Sequence, residues 1–307
     1  MNWILLLEQT LNGLQFGILL FLLAAGLTLI FGIMDLINLA HGSLYMMGAY
    51  FAATLTQWTN SFLLGALLAL PASMFFGIIL ETIALRTLYS RSHLDQVLAT
   101  FGLILFLNEF VRLIWGPIGL DIPLPPMLSG SIELFFGISY PAFRLVIIVV
   151  GILVAFLLYL LVSHTKIGML IRAGASNRQM VSALGVNINL LYTIVFGIGA
   201  ALAGLAGLMA GPIMTVEIGM GEGILIITLV VIVIGGVGSI RGAFVAALIV
   251  GFIDTVGRSF LPDILGLFFP NDVADTAAPA LSSMLIYILM ALILAIRPQG
   301  LFPPRGG

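Results

Sequence analysis

The chain has 307 residues, of which 61% are hydrophobic and 8% charged, with a formal net charge of −2 and a mean hydropathy of +1.24. Soluble domains carry about 25% charged residues, so this composition excludes a water-facing globule and makes lipid the outer solvent. With no cysteine and no basic cluster, it also excludes disulfides, thiolate metal sites and nucleic-acid binding.

In lipid, backbone polar groups must be paired inside helices or a closed barrel. Barrel strands alternate apolar and polar residues, whereas runs such as 145–162 are apolar throughout. The expected fold class is therefore all-α: one polytopic transmembrane helix bundle over residues 1–307. A span needs about 20 apolar residues, which places helices near 10–33, 40–57, 61–86, 94–115, 142–163, 188–211, 222–238, 243–261 and 279–296. Two of these segments read as broken or re-entrant, giving eight or nine spans. The start of the chain lacks the basic region of a cleavable signal, so the first helix is expected to be retained.

In chain order, the first informative segment is the break at 32–42. Asp35, Asn38 and His41 recur at every third position between Gly32 and Gly42. On a helix they would share one flank; on unwound backbone they would line a cavity, where irregular chain is tolerated. Polar groups at membrane depth default to functional hypotheses, here a polar element on a path or at its gate. The structural alternative is a hydrogen-bond cluster holding the break, or a short loop. Glu81 has only Arg86 near it in sequence. Asn108, Glu109 and Arg112 follow, the last two spaced i,i+3 for a pair. Loop 116–141, with Pro117, Pro123, Pro125, Pro126 and Pro141, reads as a turn-rich connection outside the membrane.

The segment 164–187 is too polar to cross a bilayer. Ile167, Leu170, Ile171, Met180, Val181 and Leu184 can form an apolar stripe on one amphipathic helix, with Arg172, Asn177 and Arg178 elsewhere. Such a helix either rests on the lipid interface or docks a soluble partner. Further on, Ala200/Gly204 and Gly207/Gly211, like Gly13/Gly17 earlier, have the small-xxx-small spacing of close helix contacts. Glu217 and Glu222 border a glycine-rich turn, 235–242 is a second break, and Asp254 and Arg258 are spaced i,i+4. The acidic stretch 262–278 reads as a loop.

Arg86, Arg91, Lys166, Arg172, Arg178, Arg241, Arg297 and Arg305, eight of the eleven basic residues, fall on one face of this topology. By the positive-inside rule that face is cytoplasmic, with the N-terminus outside and the C-terminus inside. A nucleotide-binding P-loop needs a lysine after its glycines; Lys166 is the single lysine and follows Ser163-His-Thr instead.

Four stretches carry a resemblance: Gly26 to Tyr50, containing Asp35-Leu-Ile-Asn-Leu-Ala-His-Gly42; Ser163 to Asn187; Gly235-Gly-Val-Gly-Ser-Ile-Arg-Gly-Ala243; and Arg297-Pro-Gln-Gly-Leu-Phe302. They resemble the branched-chain amino-acid ABC-importer permeases, the Liv-type family, and its H-type subunit more than the larger M-type. The resemblance implies a bacterial inner-membrane importer: this permease, a homologous M-type permease, two cytoplasmic ATPases and a periplasmic binding protein that hands over the amino acid. It implies no cofactor in this chain, with ATP and magnesium held by the ATPases. It makes 164–187 the coupling segment, with Thr165, Gly168, Arg172, Ala173, Asn177 and Gly185 facing the ATPase. Asp35, Asn38, His41, Gly42 and Asn108 become the candidate translocation path. A urea or short-chain amide permease is the alternative within the class. An ion-coupled carrier is the alternative outside it, with Asp35 or Glu81 as its candidate ion site.

Overall fold

The computed structural model describes residues 3–134 and 137–302. The bundle is built from α1 (Trp3–Met34), α2 (His41–Thr59), α3 (Phe62–Leu80), α4 (His93–Trp115), α6 (Ala142–His164), α8 (Ile188–Ala210), α9 (Met220–Gly235), α10 (Ile240–Gly266) and α11 (Asn271–Ile296). The connection before α6 carries the one-turn helix α5 (Pro126–Ser129) and the strands β1 (Ser131–Glu133) and β2 (Ser139–Pro141), paired antiparallel. Helix α7 (Lys166–Ala183) lies between α6 and α8.

Helix starts follow short polar side chains that pair otherwise orphaned N–H groups. Ser61, Ser92, Thr165, Asn187 and Ser239 cap α3, α4, α7, α8 and α10 in this way. Helix α1 is apolar all round and forms the axis, buried without interruption from Gly17 to Ile30. Helices α8 and α10 pack against it, and α11 lies outside α10. Close approaches set the register: Gly13 lies against Phe252, Gly17 against Ala247 and Gly26 against Gly199. The two approaches on α10 make it antiparallel to α1; α8 is antiparallel too, since Leu191 at its start and Ile33 both lie beside Gly174, whereas Gly199 meets Gly26. The small-xxx-small pairs serve contacts within this chain: Gly204 meets Gly48 of α2, Gly207 meets Tyr45, and Ala200 meets Gly77 of α3.

This order collects Arg86, Arg91, Lys166, Arg172, Arg178, Arg241 and Arg297 at one end, the basic end; Arg305 lies outside the described residues. Loop 116–125 sits at the opposite end and is tied by an antiparallel bridge between Leu120 and Val216. At the basic end the tail folds back on α9. Leu301 N–H donates to the Ile234 carbonyl at 2.8 Å, and Phe302 N–H to that of Gly235 at 3.0 Å.

Three expectations change in detail. Seven described helices are long and apolar enough to cross a membrane; α2 and α9 are shorter or more polar elements that start inside the bundle. The stretch 262–278 is mostly helix, because α10 runs on through Pro262 and α11 begins at Asn271. Its acidic residues reflect helix ends emerging from lipid rather than a loop. Segment 164–187 is not one continuous helix: Asn177 has extended backbone (φ −154°, ψ 92°), and its side chain accepts from Met180 N–H at 2.9 Å, capping a second short helix.

Candidate functional site

The break after α1 is unwound over 35–40, so the three polar residues do not share a helix flank. Asp35 turns the chain with φ 52°, a conformation tolerated by Asp more readily than by most residues, and stays exposed at the basic end. The chain then runs back into the bundle. Its backbone N–H groups find side-chain acceptors on α4: Ile37 donates to Gln96 at 3.2 Å and Leu39 to Thr100 at 3.3 Å. His41, fully buried, places Nε2 3.2 Å from the Leu23 carbonyl of α1. Leu23 lies eleven residues before Met34, about 16 Å along the helix. Helix α2 thus begins deep in the membrane rather than at its surface.

Helix α9 begins at a comparable place. Gly219, with φ 84°, opens it, and Gly219 N–H lies 3.4 Å from the Met46 sulfur of α2. Gly221 packs directly on Gly42, so closely that a β-carbon on either would collide with the other's backbone. Two helix N-termini, each the positive end of a macrodipole, therefore abut inside the protein. Next to Gly221, Glu222 accepts a 2.6 Å hydrogen bond from the Asn108 amide of α4. Of the five path candidates, Gly42 and Asn108 are joined through Gly221 and Glu222, His41 adjoins Gly42, and Asn38 is buried just before it. Asp35 stands apart at the basic end.

Asn38 is 2% exposed, and neither amide atom has a hydrogen-bond partner among the described residues; the same holds for His41 Nδ1. An unpaired buried amide is costly, so Asn38 is not explained as a structural staple.

Gln96 and Thr100 were not singled out by the sequence. Their signal was present in the i,i+4 spacing of two polar residues early in an apolar span. A second cluster was equally hidden. Glu81, fully buried, opens a π-turn (Glu81–Leu85), in which Arg86 N–H bonds back to the Glu81 carbonyl. The wider turn stacks residues five apart, so the Arg86 guanidinium also reaches the carboxylate at 3.1 and 3.2 Å. Tyr89 (2.6 Å) and Thr193 of α8 (2.9 Å) donate to it as well. Burial and the adjacent carboxylate push the Tyr89 phenol well up, so it remains a donor. The Glu109–Arg112 pair closes at 2.7 Å, and Asp254–Arg258 at 2.9 Å.

On α7, Thr165 Oγ1 donates to the Leu161 carbonyl and accepts from Gly168 N–H, turning the chain sharply off α6. Gly168 is buried against the Leu161 and Val162 carbonyls, and Ala173 is half-buried. Arg172 and Asn177 are exposed, and Gly185 closes the segment at φ 85°. The expected stripe is split. Ile171 and Val181 face the bundle, whereas Ile167, Met180 and Leu184 are exposed, together with Met169.

Among the described residues, seven helices long and apolar enough to span a membrane, two interior helix starts and an off-bundle helix at the basic end define a multi-pass membrane protein. The match to known families is specific: the model for the permease component of the branched-chain amino acid transport system fits residues 9–294, and the chain belongs to that family. It is 32% identical to the high-affinity branched-chain amino acid transport permease BraD of Pseudomonas aeruginosa, covering 96% of this chain and 95% of that protein. To LivH of Escherichia coli K12 it is 28% identical over 96% and 94% of the two chains. To LivM of Salmonella typhimurium it is 27% identical over 92% of this chain and 67% of that one. No solved structure matches it.

Proposed function

We propose that this chain is the H-type permease subunit of an ATP-driven importer in a bacterial inner membrane. It takes up branched-chain or related amino acids handed over by a periplasmic binding protein. The observation that carries the reading is α7: an extramembrane helix pair at the basic end that presents Ile167, Met169, Met180 and Leu184 outward beside Arg172. An apolar stripe of this kind enters a cleft on a partner by the helix-in-groove mode. The partner is a cytoplasmic ATPase, one of two, which holds ATP and magnesium. Thr165 and Gly168 fix the departure of α7 from α6, Arg172 and Asn177 meet the ATPase, and Ala173 and Gly185 shape the flanks. The basic end is cytoplasmic by the positive-inside rule, which puts the N-terminus outside and the C-terminus inside. The binding protein then docks on the 116–141 side.

A homologous M-type permease completes the membrane part; the likeness to LivM supports a pairing of related chains. The path runs along Asn108, Gly42, His41 and Asn38 and leaves past Asp35. Because the binding protein supplies the selectivity, the path needs only weak contacts to the amino acid. The test is uptake of radiolabelled leucine into vesicles holding the chain and the products of its neighbouring genes. Uptake should require ATP and survive ionophores; uptake that ionophores abolish and ATP does not support would make the chain an ion-coupled carrier.

A further inference from the structure

Two stretches of irregular backbone meet at the basic end. One is the unwound chain 35–40; the other is the single turn Arg86–Leu88 with the residues that lead from it to Ser92. Gln96, 2% exposed, stands between them and divides the two ends of its amide between the two stretches. Its Oε1 accepts from Ile37 N–H at 3.2 Å, with His93 Nδ1 also 3.4 Å away. Its Nε2 donates to the Leu88 carbonyl at 3.2 Å and to that of Arg91 at 3.4 Å. One turn on, Thr100 Oγ1 donates to the Gln96 carbonyl and accepts from Leu39 N–H. A side chain serving only the start of its own helix would not reach Ile37, 59 positions away.

The turn is held from its other side by α8. Leu88 precedes Tyr89, whose hydroxyl donates to Glu81 at 2.6 Å and whose ring meets that of Tyr192 edge-on, 5.2 Å between centroids. Thr193 adds its 2.9 Å bond to the same carboxylate. One residue before Tyr192, Leu191 lies beside Gly174 of α7. Contacts therefore run without a gap from α7 through the first turns of α8 to Glu81, Tyr89, Leu88, Gln96 and Ile37, the neighbour of Asn38. The two halves of this line differ in stiffness. On the Glu81 side the acceptor is a carboxylate, and hydrogen bonds to charged groups are the strong ones. On the Gln96 side both partners are neutral and the distances reach 3.4 Å, beyond the usual hydrogen-bond range. A displacement of α8 would carry the Glu81 cluster with it and be taken up at Gln96.

We propose that Gln96 is a positioning residue of the transport cycle: it passes displacement of the α7–α8 junction to the unwound chain at 35–40, and so to Asn38 and His41. This rests on the reading of α7 as the ATPase-facing helix, and adds the side chain that hands its movement to the path. A contiguous line of contacts amounts to coupling only when one element responds to both of its ends, so both ends are measured.

The chain has no native cysteine, so Ile37→Cys, which keeps its backbone N–H, reports on the break in membranes holding the assembled complex. Its labelling rate with a permeant maleimide should differ several-fold between the nucleotide-free and the vanadate-trapped complex. Adding Gln96→Met, similar in length but without the amide, should make the two rates equal. With Ile37 restored, Gln96→Met should keep ATPase co-purification and ATP hydrolysis, while the leucine taken up per ATP falls several-fold. Thr193→Val should cause a smaller fall, and the double variant should be no worse than Gln96→Met alone. A residue that only staples the fold would lower protein level and leave that ratio unchanged in the protein that remains. If Gln96→Met fails to accumulate, Tyr89→Phe, which cuts the same line beside Leu88, carries the same expectations for labelling and ratio. An unchanged ratio, additive losses in the double variant, or equal labelling rates with Gln96 in place would overturn the proposal. Wild-type membranes without ATP-driven leucine uptake would remove the importer reading, and the role of Gln96 with it. ATP-driven uptake that these variants leave fully coupled would remove the role of Gln96 alone.

Discussion

Glu81 and Thr193 stand 112 positions apart in sequence and are joined by a 2.9 Å hydrogen bond from the threonine hydroxyl to the carboxylate. Through it the π-turn at the end of α3 is fastened to the first turns of α8, just beyond the segment that leads out of α7. A hydrogen bond to a charged group is worth about 1.5–3 kcal/mol. Thr193→Val, which keeps the shape and removes the donor, should lower the detergent thermal midpoint measurably. Glu81→Leu should lower it further, because three donors besides Thr193 then lose their acceptor. Equal midpoints for wild type and both variants would mean that the cluster does not brace the two helices.

Helix α7 calls for a choice of variants that respects its packing. Gly168→Trp drives a side chain into the α6 carbonyls at Leu161 and Val162, so its expected outcome is loss of folded protein. Arg172→Glu alters only an exposed position and should leave the protein level unchanged while ATPase co-purification and leucine uptake both fall. Retention of both with Arg172→Glu would reduce α7 to a helix resting on lipid.

Asn38 separates path from scaffold. Replacing a buried, unpartnered amide by an apolar residue of similar size is neutral or stabilising when the amide has only a structural role. Asn38→Leu should therefore preserve protein level, and with the amide on the path it should sharply reduce uptake. His41→Ala and Asp35→Ala should reduce uptake more than they reduce protein level. Parallel loss of level and uptake in His41→Ala would assign it to structure.

Orientation is accessible to the same thiol chemistry. Ser92→Cys and Ala175→Cys should react only with permeant reagents in intact cells, and Ser129→Cys should react from outside. Labelling of Ala175→Cys from outside would invert the topology.

The helices were legible because long apolar runs mark them locally; the caps at Ser61, Ser92, Asn187 and Ser239 emerged only in the structure. The pair Glu109–Arg112 was legible locally too, since i,i+3 spacing fixes it. What escaped depends on long-range geometry. The interior starts of α2 and α9 rest on Gly42 meeting Gly221, 179 positions away, and on α4 supplying Gln96 and Thr100 to the unwound chain. Arg86 was the one neighbour the sequence offered Glu81, but an α-helix turns residue 86 away from it, and only the π-turn brings the two together. The kink at Asn177 is a capping event inside a segment whose periodicity reads as continuous.

The backward fold of the tail onto Ile234 and Gly235 gives α9 unequal ends. At the basic end two backbone bonds anchor it, and Gly236, at φ 101°, follows at once. At its start the restraints are the packing of Gly221 on Gly42, the Asn108–Glu222 hydrogen bond and the contact of Gly219 N–H with the Met46 sulfur. Sliding along its axis would have to break both tail bonds, whereas tilting about the anchored end keeps them and moves Glu222 through the widest arc. Substitutions in 300–302 that break the two tail bonds would therefore free α9 at the basic end alone and leave its packing inside the bundle in place.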